Sequence, residues 1–192
     1  MIIEDKILES ILVKQKILED KSIIERIDLT AKKIIECYKN GGKVFVAGNG
    51  GSAADAQHIV CELVGRFYIN RKGLAAEALS TNTSSITAIS NDFDFAKIFS
   101  RQLEANAKRG DIFIGISTSG NSGNIIEALK VCSEIGVFTI GLTGESGGKM
   151  KYMCNILINV PSNDTPRIQE AHILIAHIIC EVVERELFEN EN

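Results

Sequence analysis

No apolar run in the sequence approaches the ~18 residues of a membrane span, so no membrane-crossing segment is expected. The opening, MIIEDKILESILVKQKILED, mixes charges of both signs at helical spacing, unlike a secretory signal, and a cytoplasmic location is expected. Basic excess is also missing. Lys and Arg number 21 against 25 Asp and Glu, a formal net charge of −4, which disfavours nucleic acid as a partner. There is no G-K-S or G-K-T, hence no lysine-bearing loop for a nucleoside triphosphate. Cys37, Cys61, Cys132, Cys154 and Cys180 contain no C-x-x-C pair, and an odd, scattered set of five reads as reduced thiols packed in the interior. Cys61 points away from the face of its neighbour Glu62, which argues against a nucleophilic role. Only two prolines occur, Pro161 and Pro166, both beside the loop before the last helix, and no low-complexity tract interrupts the chain. Residues 1–192 are therefore expected to form one domain, a helical arm over 1–40 and a core over 41–192.

What is present is an alternation. Residues 3–39 place Ile7, Ile11, Ile17, Ile23, Ile27 and Ile34 at helical spacing, with a break expected near Asp20 to Ser22. Short apolar runs follow at 43–48 (KVFVAG), 74–80, 111–117, 137–144 and 155–161, and helices are expected from Ser52 to about Arg66 and near 94–107, 121–135 and 166–189. Runs apolar at consecutive positions suit strands buried on both faces. The pattern predicts an α/β fold, a parallel sheet wrapped by helices, whose ligands gather where strand ends meet helix N-termini.

Two loops and two helices there carry possible chemistry. Ser117 to Asn124 (STSGNSGN) puts four hydroxyl groups ahead of a helix, a good cradle for a phosphate monoester and equally a serine-rich cap and turn. Gly48 to Ser52 (GNGGS) begins a G-x-G-x-x-A match, with Ser52 able to cap the next helix. A dinucleotide site would also need an acid closing the second strand, but that strand ends Leu79–Ser80–Thr81 and Glu77 lies inside it. Along the helix from Ser52, Asp55, His58, Glu62 and Arg66 make one polar stripe starting at the ligand end, either functional or simply solvated. In the last helix Gln169 and His177 are two turns apart, on one side of an otherwise apolar element. The chain has only three histidines, so His58, Glu62, Gln169 and His177 form a candidate site whose imidazole, carboxylate and amide donors suit zinc or a similar divalent ion. His172, at a different angle, reads as a residue at the edge of that site.

The segments AGNGGSAADAQHIVCELVGRF, STSGNSGN and IQEAH…AH, with SNDF at 90–93, resemble the phosphoheptose isomerases, the sedoheptulose 7-phosphate isomerases of the SIS fold, over essentially the whole chain. The resemblance implies a single SIS domain, a five-stranded parallel sheet sandwiched by helices in flavodoxin-like order, and a homotetramer with active sites between subunits. It implies conversion of sedoheptulose 7-phosphate to D-glycero-D-manno-heptose 7-phosphate, the first step towards bacterial heptose. It further implies phosphate contacts from Ser117, Thr118, Ser119 and Ser122, and sugar contacts from Asn49, Gly50, Gly51, Ser52, Asn91 and Asp92. Glu62 and His177 would be the acid–base pair, with His58, Glu62, Gln169 and His177 as ligands of one zinc per site and Asp55 and Arg66 in support. The competing expectation is a non-catalytic protein of the same fold that binds the replication initiator or senses a sugar phosphate; such a binder has no need of Glu62, Gln169 and His177 in register.

Overall fold

A computed structural model describes residues 1–189. Helices α1 (Ile2–Glu19) and α2 (Lys21–Lys39) form the arm. They part at Asp20, whose backbone leaves the helical region (φ −87°, ψ 96°) and whose carboxylate accepts from the N–H of Ser22 (2.8 Å) and Ile23 (3.3 Å). That is an N-cap, which contributes about 1 kcal/mol. The core then alternates: β1 (Val44–Ala47), α3 (Gly51–Val64), β2 (Ala76–Ala78), α4 (Thr83–Asp92), α5 (Ser100–Asn106), β3 (Ile112–Ile116), α6 (Gly123–Ile135), β4 (Phe138–Thr143), β5 (Ile156–Asn159) and α7 (Thr165–Phe188).

All five strands are parallel, in the order β2-β1-β3-β4-β5. The pleat sends alternate residues to opposite layers. Val44, Val46, Ile112, Ile114, Ile140 and Leu142 face α1, α2, α3 and α7. Phe45, Ala47 and Phe113 face α5 and α6. All of these side chains are buried, and each Val, Ile, Leu and Phe among them favours the folded state by about 1.5–3 kcal/mol. Order reverses between β1 and β3, the topological switch where open α/β sheets bind ligands.

The strand expected over 74–80 shortens to Ala76–Ala78, and the helix expected near 94–107 resolves into a 3-10 turn, Phe95–Lys97, followed by α5. Helix α4 and a 3-10 segment, Gly148–Tyr152, were not expected from periodicity. The cysteines are free, but Cys61 is exposed and Cys154 half-buried, so only Cys37, Cys132 and Cys180 pack inside. Cys61 lies on α3 beyond Ile59 and before Leu63, the two residues that face the core, and so looks outward. Among the described residues no helix is long and apolar enough to cross a membrane.

Candidate active site

The turn after β1 is shaped by glycines. Gly50 has φ +56° and ψ −123°, a conformation that a side chain would strain, and the turn swings directly into α3. The helix starts at Gly51 with Gly50 as its cap and no side-chain cap. Ser52 therefore does not cap it, contrary to expectation; it lies within the first turn, buried, its N–H bonded to the Asn49 carbonyl (3.0 Å). At Gly51 a Cβ would meet the Gln169 carboxamide from α7. The absence of a side chain on α3 thus seats a side chain of α7.

Two turns along, His58 Nε2 lies 3.1 Å from Glu62 Oε1 and 3.0 Å from Nε2 of His177 on α7. One ligand atom from each of these three residues falls within 4.8 Å of the others. The rings of His58 and His177 are tilted at 56° with centroids 4.9 Å apart. Two imidazole nitrogens facing each other beside a carboxylate oxygen either share a proton or enclose a cation. Two nitrogens and an oxygen are the donor types that bind zinc in a tetrahedral site with an open position, so the residues present fit such an ion. Glu62 is partly sheltered and His58 about half exposed, which keeps the cluster at the surface of the chain.

Asp55, one turn before His58, has a carboxylate oxygen buried without a hydrogen-bond partner. Burial pushes its carboxyl above the usual range, and the nearby His58 pulls the other way. Arg66 falls outside α3, because the helix stops at Gly65, and donates only to the Tyr68 carbonyl at 3.4 Å. The stripe Asp55, His58, Glu62 thus ends one residue type short of its expected length. Asn91 and Asp92 sit exposed at the end of α4 and bond to each other (2.8 Å); no hydrogen bond ties them to the cluster or to either loop within this chain. His172 is not at the edge of the site. It is 1% exposed in the core, with Nε2 donating to the Thr143 carbonyl at 3.2 Å.

The second loop joins β3 to α6. Ser117 and Ser122 hydroxyls are 2.8 Å apart and Ser117 and Ser119 are 3.5 Å apart, so three hydroxyls converge. Ser122 occupies the cap position of α6, yet its hydroxyl turns to Ser117 and no side chain caps the helix. Of the serine-rich cap and turn expected as the alternative for this loop, the cap does not form, while the turn does: Gly120 N–H donates to the Ser117 carbonyl (2.9 Å) and Asn121 N–H to the Ser119 hydroxyl (3.2 Å). An N-terminus left open beside clustered hydroxyls is suited to an anion. The loop is braced from behind: Gly144 N–H donates to the Thr118 carbonyl (2.9 Å), Met150 N–H to Gly120 O (3.1 Å) and Lys149 N–H to Asn121 Oδ1 (3.0 Å).

Sequence patterns did not reveal that the two loops are stitched together. Asn49 and Asn124 exchange amide hydrogen bonds of 2.9 and 2.8 Å across 75 positions. Asn124 is buried, and nothing in the sequence around it marks Asn49 as its partner.

A family model described as SIS domain matches residues 11–144. The phosphoheptose isomerase of Aneurinibacillus thermoaerophilus is 56% identical over 189 residues, 98% of this chain and 96% of that protein. The solved phosphoheptose isomerase of Neisseria gonorrhoeae superposes with a TM-score of 0.89 at 43% identity, covering 95% of this chain and 96% of that one. The one from Francisella tularensis gives 0.91 at 36% identity, with 95% and 96% covered. Fold, loops and near-full-length identity agree: this chain belongs to the phosphoheptose isomerases of the SIS-domain family.

Proposed function

We propose that the chain interconverts sedoheptulose 7-phosphate and D-glycero-D-manno-heptose 7-phosphate, the first step of bacterial heptose synthesis. The observation that carries this reading is the convergence of His58, Glu62 and His177 from two helices onto one point. Aldose–ketose exchange removes a proton from the carbon beside a carbonyl to give an enediol, then returns a proton to the former carbonyl carbon. A base and an acid are needed, and a carboxylate and an imidazole suit these roles near neutral pH. Glu62 is the base and His177 the acid. The phosphate is held by Ser117, Thr118, Ser119 and Ser122 with the open N-terminus of α6, and Asn49, Gly50, Gly51 and Ser52 face the sugar. Phosphate binding remote from the reacting carbons holds them against the acid–base pair, which raises the rate of proton transfer.

The same cluster, with Gln169, would hold one zinc ion. When bound, zinc supplies a Lewis acid that polarises the substrate carbonyl. Glu62 has two carboxylate oxygens and His177 two ring nitrogens, so each can face a cation with one atom and the substrate with another. Asp55 supports the His58 ring, and Arg66 supplies positive charge at the rim.

The active assembly we propose is a homotetramer with sites between subunits. Two features support it: α1 exposes Ile3, Ile7, Leu8, Ile11 and Leu12 along one helix, and α4 has no buried residue. Contribution of Asn91 and Asp92 to a neighbouring subunit's sugar site accounts for their isolation here. A cytoplasmic location accords with five free thiols. The non-catalytic reading is disfavoured because binding alone requires no imidazole–carboxylate–imidazole convergence.

The test is incubation with sedoheptulose 7-phosphate, followed by NMR for the aldose signal, beside fructose 6-phosphate and ribulose 5-phosphate. Aldose formed from the heptose alone supports the assignment, and no turnover of the heptose refutes it. The same assay after chelation, with zinc then restored, reads the metal's part.

A further inference from the structure

Arg71 and Glu184 form the most enclosed ion pair among the described residues, Nε to Oε1 2.8 Å with side chains 2% and 1% exposed. Charges so far from water persist only when every lone pair and proton is matched. Here the partners all belong to the frame of the site. Glu184 accepts the N–H of Phe67 (2.8 Å), of Tyr68 and of Ile69 (2.8 Å). Arg71 donates from Nη2 to the Glu62 carbonyl (2.9 Å) and from Nη1 to the Leu63 carbonyl (2.8 Å), which lie at the end of α3 where helical partners run out.

Two routes lead from this pair to the cluster. Through Arg71 it grips the backbone of Glu62 itself. Through Phe67 it reaches His177: the N–H of Phe67 is held by Glu184, and its ring packs on the His177 ring at 5.7 Å between centroids. Glu184 follows His177 by two turns on nearly the same side of α7, about 20° away. The pair thus anchors the end of α3 and the turn beyond it to the same face of α7 that carries the imidazole.

Building on the isomerase reading, we propose that Arg71 and Glu184 are positioning residues, holding His177 in register with His58 and Glu62 and thereby setting both turnover and affinity for a divalent cation. Neither touches substrate or cation. Groups that orient ligands are worth about 10- to 100-fold in metal affinity or activity.

The experiment uses the full chain with Glu184→Gln and Arg71→Lys. Glu184→Gln keeps size but replaces one acceptor oxygen by a donor; Arg71→Lys keeps charge but loses the planar fork that spans Glu184 and both carbonyls. Melting temperature, kcat and KM for sedoheptulose 7-phosphate are measured, and zinc affinity is read on metal-stripped protein by competition with a chromophoric chelator. The expected result in each folded variant is kcat lower by about tenfold or more and a zinc dissociation constant raised by about tenfold or more. KM stays within about twofold, since the phosphate loop sits on β3 and α6. A merely structural pair would lower the melting temperature and leave kcat per folded molecule and zinc affinity at wild-type values, which overturns the proposal. If Glu184→Gln does not fold, Arg71→Lys decides. Zinc competition needs no turnover, so a wild-type chain inactive on the heptose sinks the isomerase reading alone, whereas unchanged zinc affinity and kcat in folded variants sink the clamp.

Discussion

His172 should make the fold sensitive to mild acid. Its ring is 1% exposed, Nε2 donates to the Thr143 carbonyl, and Nδ1 is buried without a partner. A second proton would place both a charge and an unmatched N–H out of water. Burial therefore lowers the ring from 6.5 to about 4, against a smaller opposing effect of the carbonyl. Below about pH 6.5 the unfolded chain binds a proton here that the folded chain refuses until about pH 4. The unfolded state thus holds more protons across that window, and stability is full above it and falls as pH falls through it. The lowering from 6.5 to about 4, at about 1.4 kcal/mol per pH unit, comes to roughly 3–4 kcal/mol, against a total stability of about 5–15 kcal/mol. His172→Gln keeps a donor near the ε position and cannot titrate. Urea unfolding of both chains from about pH 7 to about pH 4 should show the wild type losing about 3 kcal/mol more than the variant, or about 6–12 °C in melting temperature for a chain of this size. Carboxylates common to both chains cancel in the difference. Parallel curves, or a His172 ring that titrates near pH 6.5 by NMR, would refute the reasoning.

Three further outcomes follow from the site. Glu62→Gln and His177→Gln should each lower kcat by about 10²-fold or more while melting within a few degrees of wild type, because neither removes core volume; near-normal turnover in either would remove that residue from the acid–base pair. Ser122→Ala deletes a hydroxyl that faces Ser117 across the phosphate loop, and should raise KM for the sugar phosphate about tenfold or more with a smaller change in kcat. An unchanged KM would mean that the phosphate sits elsewhere. Gly51→Ala should fold, since the Cβ meets only the flexible end of Gln169, but the displaced carboxamide should weaken zinc binding in a competition titration. Wild-type zinc affinity there would take Gln169 out of the ligand set.

The sheet was legible because several of the five runs, such as DIFIGIS, are apolar at successive positions, as strands covered on both faces are. The break at Asp20 was legible for the same local reason, a capping residue between two periodic segments. Helix α4 was hidden because TSSITAISND is rich in serine and threonine and turns only Ile86 and Ile89, both half-buried, toward the core, too short an apolar pattern to mark a helix. It starts on the Asn82 carboxamide, which accepts from Ser85 N–H at 3.0 Å. His58, Glu62, Gln169 and His177 were nominated by spacing within two helices, and the structure places the first, second and fourth within reach of one another, with Gln169 against Gly51. Arg66 lies just past the cap of α3 at Gly65, so helical spacing from Glu62 does not by itself place its side chain. Arg71–Glu184 and Asn49–Asn124 were invisible. Each joins residues more than 70 positions apart, and a charged or amide side chain carries no local sign that its partner is buried with it.

Those two long-range pairs divide the work of keeping the site in one shape. Asn49–Asn124 joins the turn that launches α3 to the first turn of α6, so the Ser117–Ser122 loop and the start of the helix that carries His58 and Glu62 share one amide pair. Arg71–Glu184 fixes the other end of the same helix to α7. Helix α3 is therefore pinned at both ends, to α6 and its serine-rich loop in front and to the His177-bearing α7 behind. Phosphate energy can raise turnover only if the loop that receives it is rigidly connected to the groups that move the proton, since a loose connection would let substrate bind without being oriented. The order of the sheet places that connection at the β1–β3 switch, where the two loops emerge side by side from neighbouring parallel strands.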